Sequence, residues 1–336
     1  MYHKRIVVDF DDTLAFHQNR KFNQALPNTK LIDKLNGLYD AGWQIDIFTA
    51  RGSISCKTRG EASIKYRDDI IQWLDEHHVK YHNLSFDKPL AAYYIDDKGI
   101  MPEDFLKVDI RDLEGGLSGS EIYTDGKVVH KQDANAHNTK QWFLAAEGIA
   151  TPQIHRIVGD TITMDYIDHD EFYFDTDYYM ALAIVQSKLD LMKHRWPLDD
   201  LKYESYIERI RGHATASGEW VLMENCDSLK DYNLTRTFSH GDFGIKNMLF
   251  NNHDMTLIDP ITDVFGCTEI DVAKFIASLL INGHEIGDTF KYFSLFNGIN
   301  RDMLEVLIIS ELTRVYKYHP NKEFIMECVS HVYEYC

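Results

Sequence analysis

The sequence predicts a two-domain α/β protein: a parallel sheet with covering helices over residues 1–113, then an α+β domain of two lobes over 114–336. Three observations predict it. The first domain alternates short apolar runs with amphipathic helical periods, the order of a parallel α/β sheet. A glycine-rich break, Glu114-Gly115-Gly116-Leu117-Ser118-Gly119, marks a boundary. Two hairpin signals and a long helical tract follow it, so a small antiparallel sheet precedes a mostly helical lobe.

The elements follow in order. Arg5–Asp9 is a short apolar run ending in acids, as a buried parallel strand does. Asn28 is a helix N-cap, with Leu31, Ile32, Leu35 and Leu38 on one face and Gly42 as the stop. Trp43–Thr49 is the next strand. Glu61–His77 is a helix with Ile64, Ile70, Ile71 and Leu74 on its inner side. Asn83–Phe86, Ala91–Ile95 and Phe105–Ile110 are read as three further strands. Beyond the break, Glu121–Tyr123 and Lys127–Lys131 flank Asp125-Gly126, a hairpin turn. A helix over Ala136–Ala146 leads to a second hairpin, Ile154–Val158 with Thr161–Ile167. From Thr176 the period is helical, interrupted over Phe238–Asp259.

With 336 residues, 44% hydrophobic and 12% aromatic, the composition is globular and excludes disorder as the main state. No apolar run approaches the ~18 residues that a membrane span needs. The run Ile6-Val7-Val8 stops at Asp9, too short for a signal peptide. The 5 cysteines form no CxxC pair, which points to reduced thiols and a cytoplasmic protein. Net charge is −18 and unevenly spread: residues 1–112 carry 16 Lys and Arg against 18 Asp and Glu, the remainder 19 against 35. So acidic a surface repels nucleic acid and anionic lipid, but not a small phosphorylated ligand accompanied by a divalent cation.

Val7-Val8-Asp9-Phe10-Asp11-Asp12-Thr13-Leu14 is the most informative stretch. A strand ending Asp-x-Asp-x-Thr puts Asp9 and Asp11 at the carboxyl end of a parallel sheet, where ligands bind. One carboxylate can attack phosphorus while its neighbour two residues on protonates the leaving group. Clustered carboxylates need a neutralising cation, so magnesium is implied. Three later pieces complete the set: Thr49 at the end of Ile47-Phe48-Thr49-Ala50-Arg51, Lys88 before Pro89, and Asp96-Asp97 after Tyr94-Ile95. The four motifs resemble those of haloacid dehalogenase-like phosphatases, and Phe86-Asp87-Lys88-Pro89 with Tyr94-Ile95-Asp96-Asp97-Lys98 is similar to the capsule biosynthesis branch. The resemblance implies a Rossmann-type sheet, Asp9 as nucleophile, Asp11 as general acid/base, and Thr49 and Lys88 on the transferring phosphoryl. It also implies magnesium on Asp9, Asp11, Asp96 and Asp97. Asp12 stands where many relatives have glycine. Thr13 to Thr49 spans 36 positions and Arg51 to Lys88 spans 37, with no room for a substantial cap, so the domain is expected to be capless or covered by the second domain.

A second constellation is His240-Gly241-Asp242-Phe243-Gly244-Ile245-Lys246-Asn247, of the form H-x-D-x-x-x-x-N, with Asp259 ending Leu257-Ile258-Asp259 12 residues on. Transfer from a nucleotide needs a carboxylate beside the acceptor hydroxyl and two metal ligands on the phosphates. Asp242, Asn247 and Asp259 are suitable types at kinase spacing. Upstream, Ser118, Gly119 and Ser120 could cover phosphates, Lys131 could pair with them, and Met164-Asp165-Tyr166-Ile167 could offer backbone groups to adenine. Order and motif resemble the aminoglycoside phosphotransferase/choline kinase family. That implies an ATP-dependent small-molecule kinase with a bilobal, protein-kinase-like fold, with Asp242 catalytic, Asn247 and Asp259 on metal, and Asp271 supporting the loop. The family's small-lobe helix glutamate is missing, and His137 occupies the matching position.

Together these predict a bifunctional enzyme with Mg2+ and ATP. Its partners would be a phosphorylated small molecule and a hydroxyl acceptor, in surface-polysaccharide precursor metabolism. The alternative is that one half is catalytic and the other a nucleotide- or ligand-binding regulatory module. An end-processing enzyme of nucleic acid would need a G-x-x-x-x-G-K-[ST] loop, and the sequence has none. The histidines His77, His78 and His82 read as helix-end residues, not a metal cluster.

Overall fold

Apolar residues in Arg5–Asp9 (β1) enter a parallel sheet, whose strand ends set the first candidate site. The computed structural model describes residues 4–17, 25–94, 98–113, 120–170, 174–195, 198–200, 203–219, 226–232, 234–251, 254–261, 266–284 and 299–335. Two units divide the chain, Met1–Arg111 and Asp112–Cys336.

In the first unit, Ala15–Phe16 (β2) pairs antiparallel with Leu26–Pro27 (β3). Asn28 caps Thr29–Asp40 (α1), accepting from Leu31 N, and the buried face is Leu31, Ile32, Leu35 and Leu38, as the period required. Gln44–Phe48 (β4) is the central strand, parallel to β1 on one side and to Asn83–Ser85 (β5) on the other. The register sets Asp9 opposite Phe48 and Phe48 opposite Ser85, so three strands end at one level. Arg59–Glu76 (α2) starts two residues before its expected position. Thr58 accepts from Glu61 N at 3.1 Å, and Glu61 accepts from Lys57 N at 2.8 Å. Thr58-x-x-Glu61 is a capping signature, and it sets the start of the helix. Ile64, expected inside, is 85% exposed; Ala62, Ile70, Trp73 and Leu74 form the inner face instead.

Two of the expected strands are absent. Ala91–Tyr94 form none, and Ile95 lies outside the described residues. Tyr93 is 86% exposed, and without burial nothing compensates for ordering an isolated edge. Nor is Phe105–Ile110 a strand: Pro102–Phe105 (α3) is a short helix with proline in its first turn and Glu103 and Asp104 beside it. Proline there is preorganised for helix and the acids suit the helix dipole, which outweighs the β-branched residues that follow.

The second unit begins with a five-stranded sheet. Arg111–Asp112 (β6), Ile122–Thr124 (β7), Val128–Gln132 (β8), Ile154–Val158 (β9) and Thr161–Asp165 (β10) lie in the order β6-β7-β8-β10-β9. The Asp125-Gly126 turn forms as expected: Asp125 accepts from Lys127 N and Val128 N, both at 2.9 Å. Ala136–Ala145 (α4) precedes β9. Phe174–Arg195 (α5) leads to Leu198–Asp200 (β11), which pairs with Thr235–Arg236 (β12), a ribbon the periodicity gave no sign of. Tyr203–Ser217 (α6) lies between them. Met248–Asn251 (β13) and Asp254–Leu257 (β14) form the interruption in the helical tract, before Thr268–Ile281 (α7), Arg301–Tyr316 (α8) and Lys322–Tyr335 (α9). The core of this lobe gathers Leu189, Phe243, Leu257, Val272, Leu307 and Leu312, each at most 1% exposed. No helix of the described residues is long and apolar enough to cross a membrane. The described cysteines, Cys56, Cys226, Cys267 and Cys328, are free thiols.

Candidate active sites

Alternation along Asp9-Phe10-Asp11 divides the labour in the first site. Phe10 is fully buried and meets Trp73 edge-on at 5.2 Å, and this anchor leaves the flanking carboxylates at the sheet end. Asp9 Oδ2 accepts from Lys88 Nζ at 2.5 Å, and its Oδ1 accepts from Phe10 N at 2.9 Å. Asp11 Oδ2 accepts from the Thr49 hydroxyl at 3.0 Å, while its Oδ1 takes Arg51 Nε at 3.1 Å and lies 2.9 Å from His17 Nε2. Thus Thr49 and Lys88, remote in sequence from Asp9 and Asp11, share one cluster with them. Asp96 and Asp97 lie outside the described residues.

The two carboxylates differ. Burial pushes the Asp9 pKa up, against the opposing pull of Lys88. Burial also acts upward on Asp11, but Arg51, Thr49 and His17 together outweigh it and hold its pKa below the usual carboxylate range. Asp12 has φ 57°, a left-handed backbone that favours glycine and that a short polar side chain tolerates. That is a physical reason for glycine at this place in the resembling family.

Arg59 was not singled out in the sequence, yet all five of its guanidinium N–H groups are engaged. It donates to the carbonyls of Phe86, Thr49 (3.1 Å), Arg51 (3.0 Å) and Ala50 (3.5 Å) and to Ser53 Oγ (2.7 Å). The loop carrying Thr49 and the segment leading to Lys88 are thereby tied to one rigid fork. No motif announces such a residue, because its partners are backbone atoms.

In the second unit the loop His240–Asn247 is held from several sides. Asp271, fully buried on α7, accepts from His240 N at 2.8 Å and Gly241 N at 2.9 Å, the supporting role anticipated for it. Burial raises its pKa to about 7 despite these donors. Asn247 Nδ2 donates to Asp242 Oδ2 at 3.0 Å and to Asp242 O at 2.8 Å. Ile258 N donates to Asn247 O at 3.0 Å, which brings the neighbouring Asp259 to the same place. Asp259 has φ 62°, a left-handed conformation of the kind that surrounding contacts must impose and that gathers at working sites.

Lys131, buried on β8, forms an ion pair with Asp259. His137 is exposed, and Asp259 is the carboxylate that meets the lysine. At the expected adenine hinge two backbone N–H groups are engaged. Asp165 N is spent on Gln153 O at 3.0 Å and Tyr166 N on Lys127 O at 3.0 Å, while the Asp165 carboxylate takes Gln153 N and lies 2.7 Å from His155 Nε2. Asp165 therefore closes a strand end. Ile167 O lies 3.2 Å from His169 Nδ1. Ser120 lies just ahead of β7; Ser118 and Gly119 lie outside the described residues.

Among the described residues no three His, Cys, Asp or Glu side chains gather as a metal cluster. The donors present still suit magnesium in type: Asp9 and Asp11 offer only carboxylate oxygens, and a cation beside Asp9 would offset the burial that raises its pKa. In the second unit Asp259 and Asn247 supply oxygen donors from adjoining segments.

His240 fixes its own tautomer. Its Nε2 lies 2.9 Å from Ile258 O and so carries the proton, leaving Nδ1 to accept from Asp242 N at 3.3 Å. Burial lowers its pKa from 6.5 to about 4. The unfolded chain thus binds a proton that the folded one refuses between these values, so stability present above pH 6.5 is lost as pH falls toward 4. From pH 7.5 to 5.5 the His240 contribution should fall by about 1 kcal/mol. Urea unfolding at both pH values, for the wild type and His240→Gln, checks it: equal slopes against pH would remove the claim.

No protein-family model matches the chain, and no curated protein matches it. Solved structures do. A structural-genomics target from Vibrio cholerae is similar at 29% identity over 31% of this chain and 89% of its own, with a TM-score of 0.30. A choline kinase from Cryptosporidium parvum is 10% identical over 68% of this chain and 88% of its own, with a TM-score of 0.49. A choline/ethanolamine kinase family protein from Mesorhizobium loti is 11% identical over 67% of this chain and 87% of its own, at 0.48.

Proposed function

We propose that the second unit is an ATP-dependent kinase acting on a small-molecule hydroxyl. The observation that carries this is the convergence of Asp242, Asn247, Asp259 and Lys131, brought together from a loop, the segment that follows β14 and the strand β8. Asp242 accepts the acceptor's proton, Asn247 fixes Asp242 and, with Asp259, would hold magnesium, and Lys131 meets the phosphates. When bound, that cation would screen phosphate charge and align the transferring group. Fold likeness to small-molecule kinases is compatible with this reading.

The first unit we read as a capless phosphomonoesterase of haloacid dehalogenase type. Asp9 attacks phosphorus, Asp11 serves the leaving group and then water, and Thr49 and Lys88 hold the phosphoryl. Support comes from the contacts of Asp9 with Lys88 and of Asp11 with Thr49. Magnesium would be held by Asp9 and Asp11 with Asp96 and Asp97. Together the halves would move phosphate between hydroxyls of sugar or polyol phosphates in the cytoplasm, and linkage raises the local concentration of a shared intermediate. The resemblance of residues 86–98 to the capsule branch favours surface-polysaccharide precursors. A second reading, a nucleotide-binding module beside one enzyme, is favoured by Lys131 lacking a small-lobe helix carboxylate and occupying Asp259 instead.

Sugar phosphates, polyol phosphates and free polyols, assayed in parallel for phosphate release and ADP formation, test the pair. One compound class should serve both reactions, and Asp242→Asn should remove ADP formation while sparing phosphate release. ADP formation surviving in Asp242→Asn would sink the kinase half.

A further inference from the structure

Two helices bring charge to the back of Asp242. Lys274, one turn beyond Asp271 on α7, places Nζ 3.5 Å from Asp242 Oδ1. Arg314 on α8 places a guanidinium nitrogen 3.6 Å from the same oxygen. Both cations also meet Glu311, one turn before Arg314: Arg314 Nε at 2.7 Å and Lys274 Nζ at 3.7 Å. The side chains of Lys274 and Glu311 are only 6% and 4% exposed, whereas those of Arg314 and Asp242 are 33% and 36% exposed. Buried charges of this kind are costly unless each finds a partner. One buried glutamate facing two cations leaves an excess, and Asp242 is where that excess is met.

We propose that Lys274, Glu311 and Arg314 are positioning residues for Asp242, a charge frame that fixes the direction of its carboxylate toward the acceptor. The frame rests on the kinase reading above. It spans α7 and α8, so it links the acid that holds the loop backbone, Asp271, to the groups that aim the loop's side chain. Asn247 holds Oδ2 from the front while Lys274 and Arg314 hold Oδ1 from behind. From α6, Arg209, His213 and Tyr206 also face Glu311 or its partners. Burial keeps His213 toward its neutral form, and His240 behind the loop is neutral for the same cause. Of the three frame residues Arg314 is the most exposed, and its removal leaves the Lys274–Glu311 pair in place.

The acceptor is unidentified, so the test uses water and Mg-ATP. In that reaction the water oxygen bonds to the γ-phosphorus, the bond from the γ-phosphorus to its bridging oxygen breaks, and ADP leaves with the electron pair. The water proton passes to Asp242. Full-length wild type, Asp242→Asn, Arg314→Met, Arg314→Lys and Glu311→Gln are compared for kcat, KM for ATP and melting temperature. Misaiming a catalytic group costs up to about 100-fold in rate. Arg314→Met should lose about 10- to 100-fold in kcat with KM within about twofold of wild type, and Arg314→Lys should recover part of the loss. Glu311→Gln should lower kcat in the same sense. Equal kcat in Arg314→Met and wild type, or a loss confined to KM, overturns the frame while leaving the kinase reading intact. A wild type that forms no more ADP than Asp242→Asn overturns both.

Discussion

Asp9→Asn is expected to lower phosphate release from 4-nitrophenyl phosphate by on the order of 10⁴-fold, while ADP formation by the second unit stays unchanged. The substitution keeps the shape of the side chain and removes the nucleophilic oxygen. It also replaces the ion pair of Lys88 Nζ with Asp9 Oδ2, 2.5 Å apart, by a contact of the ammonium with a neutral amide. Folding should survive. Burial raises the Asp9 pKa, so the ionised carboxylate is disfavoured in the folded state, and a neutral amide removes that cost. The melting temperature should therefore hold or rise. A trapped acyl phosphate on Asp9 in the wild type, absent in the variant, would identify the attacking atom. Retained hydrolysis in Asp9→Asn would end the phosphatase account, and a fall in melting temperature would show that Asp9 is structural.

Gly241→Ala should cost about 2–4 kcal/mol of stability in the second unit and remove ADP formation by at least about 100-fold. Gly241 has φ 77°, and a Cβ there would lie 2.5 Å from Ile261 O and 3.3 Å from Ile261 Cβ. Ile261 N donates to His240 O at 2.9 Å, so loop and segment are held together. Admitting a methyl group should shift the loop away from Ile261 and so displace Asp242, the next residue. Gly218 is the control. Its φ is 78°, yet nothing lies within 4 Å of a Cβ built there, so Gly218→Ala carries only the left-handed backbone cost of about 1–2 kcal/mol and should leave turnover unchanged. Urea unfolding and ADP formation on both variants separate collision from strain. Equal stability losses at the two positions would refute the collision.

The elements most legible in the sequence were those whose signals are local. Asn28 with the i, i+3, i+4 run Leu31 to Leu38 gave α1, and Asp125-Gly126 gave the β7–β8 hairpin, since cap, period and turn act within a few residues. Two of the errors share one cause. Ala91–Tyr94 carried β-compatible residues but no partner strand or cover, and Ile64 kept a helical period on a face that nothing packs against. Burial is decided by neighbours distant in the chain, so periodicity alone cannot assign it.

The sites divide the same way. By itself the sequence determined the reactive types and their local spacing: Asp9 with Asp11, and His240 with Asp242 and Asn247. Tertiary structure alone decided who holds them. Lys88 meets Asp9 across 79 positions and Lys131 meets Asp259 across 128. Arg59 acts on carbonyl oxygens that every residue possesses. Charge and hydrogen-bond partners are chosen by distance in space, and only packing converts separation along the chain into contact.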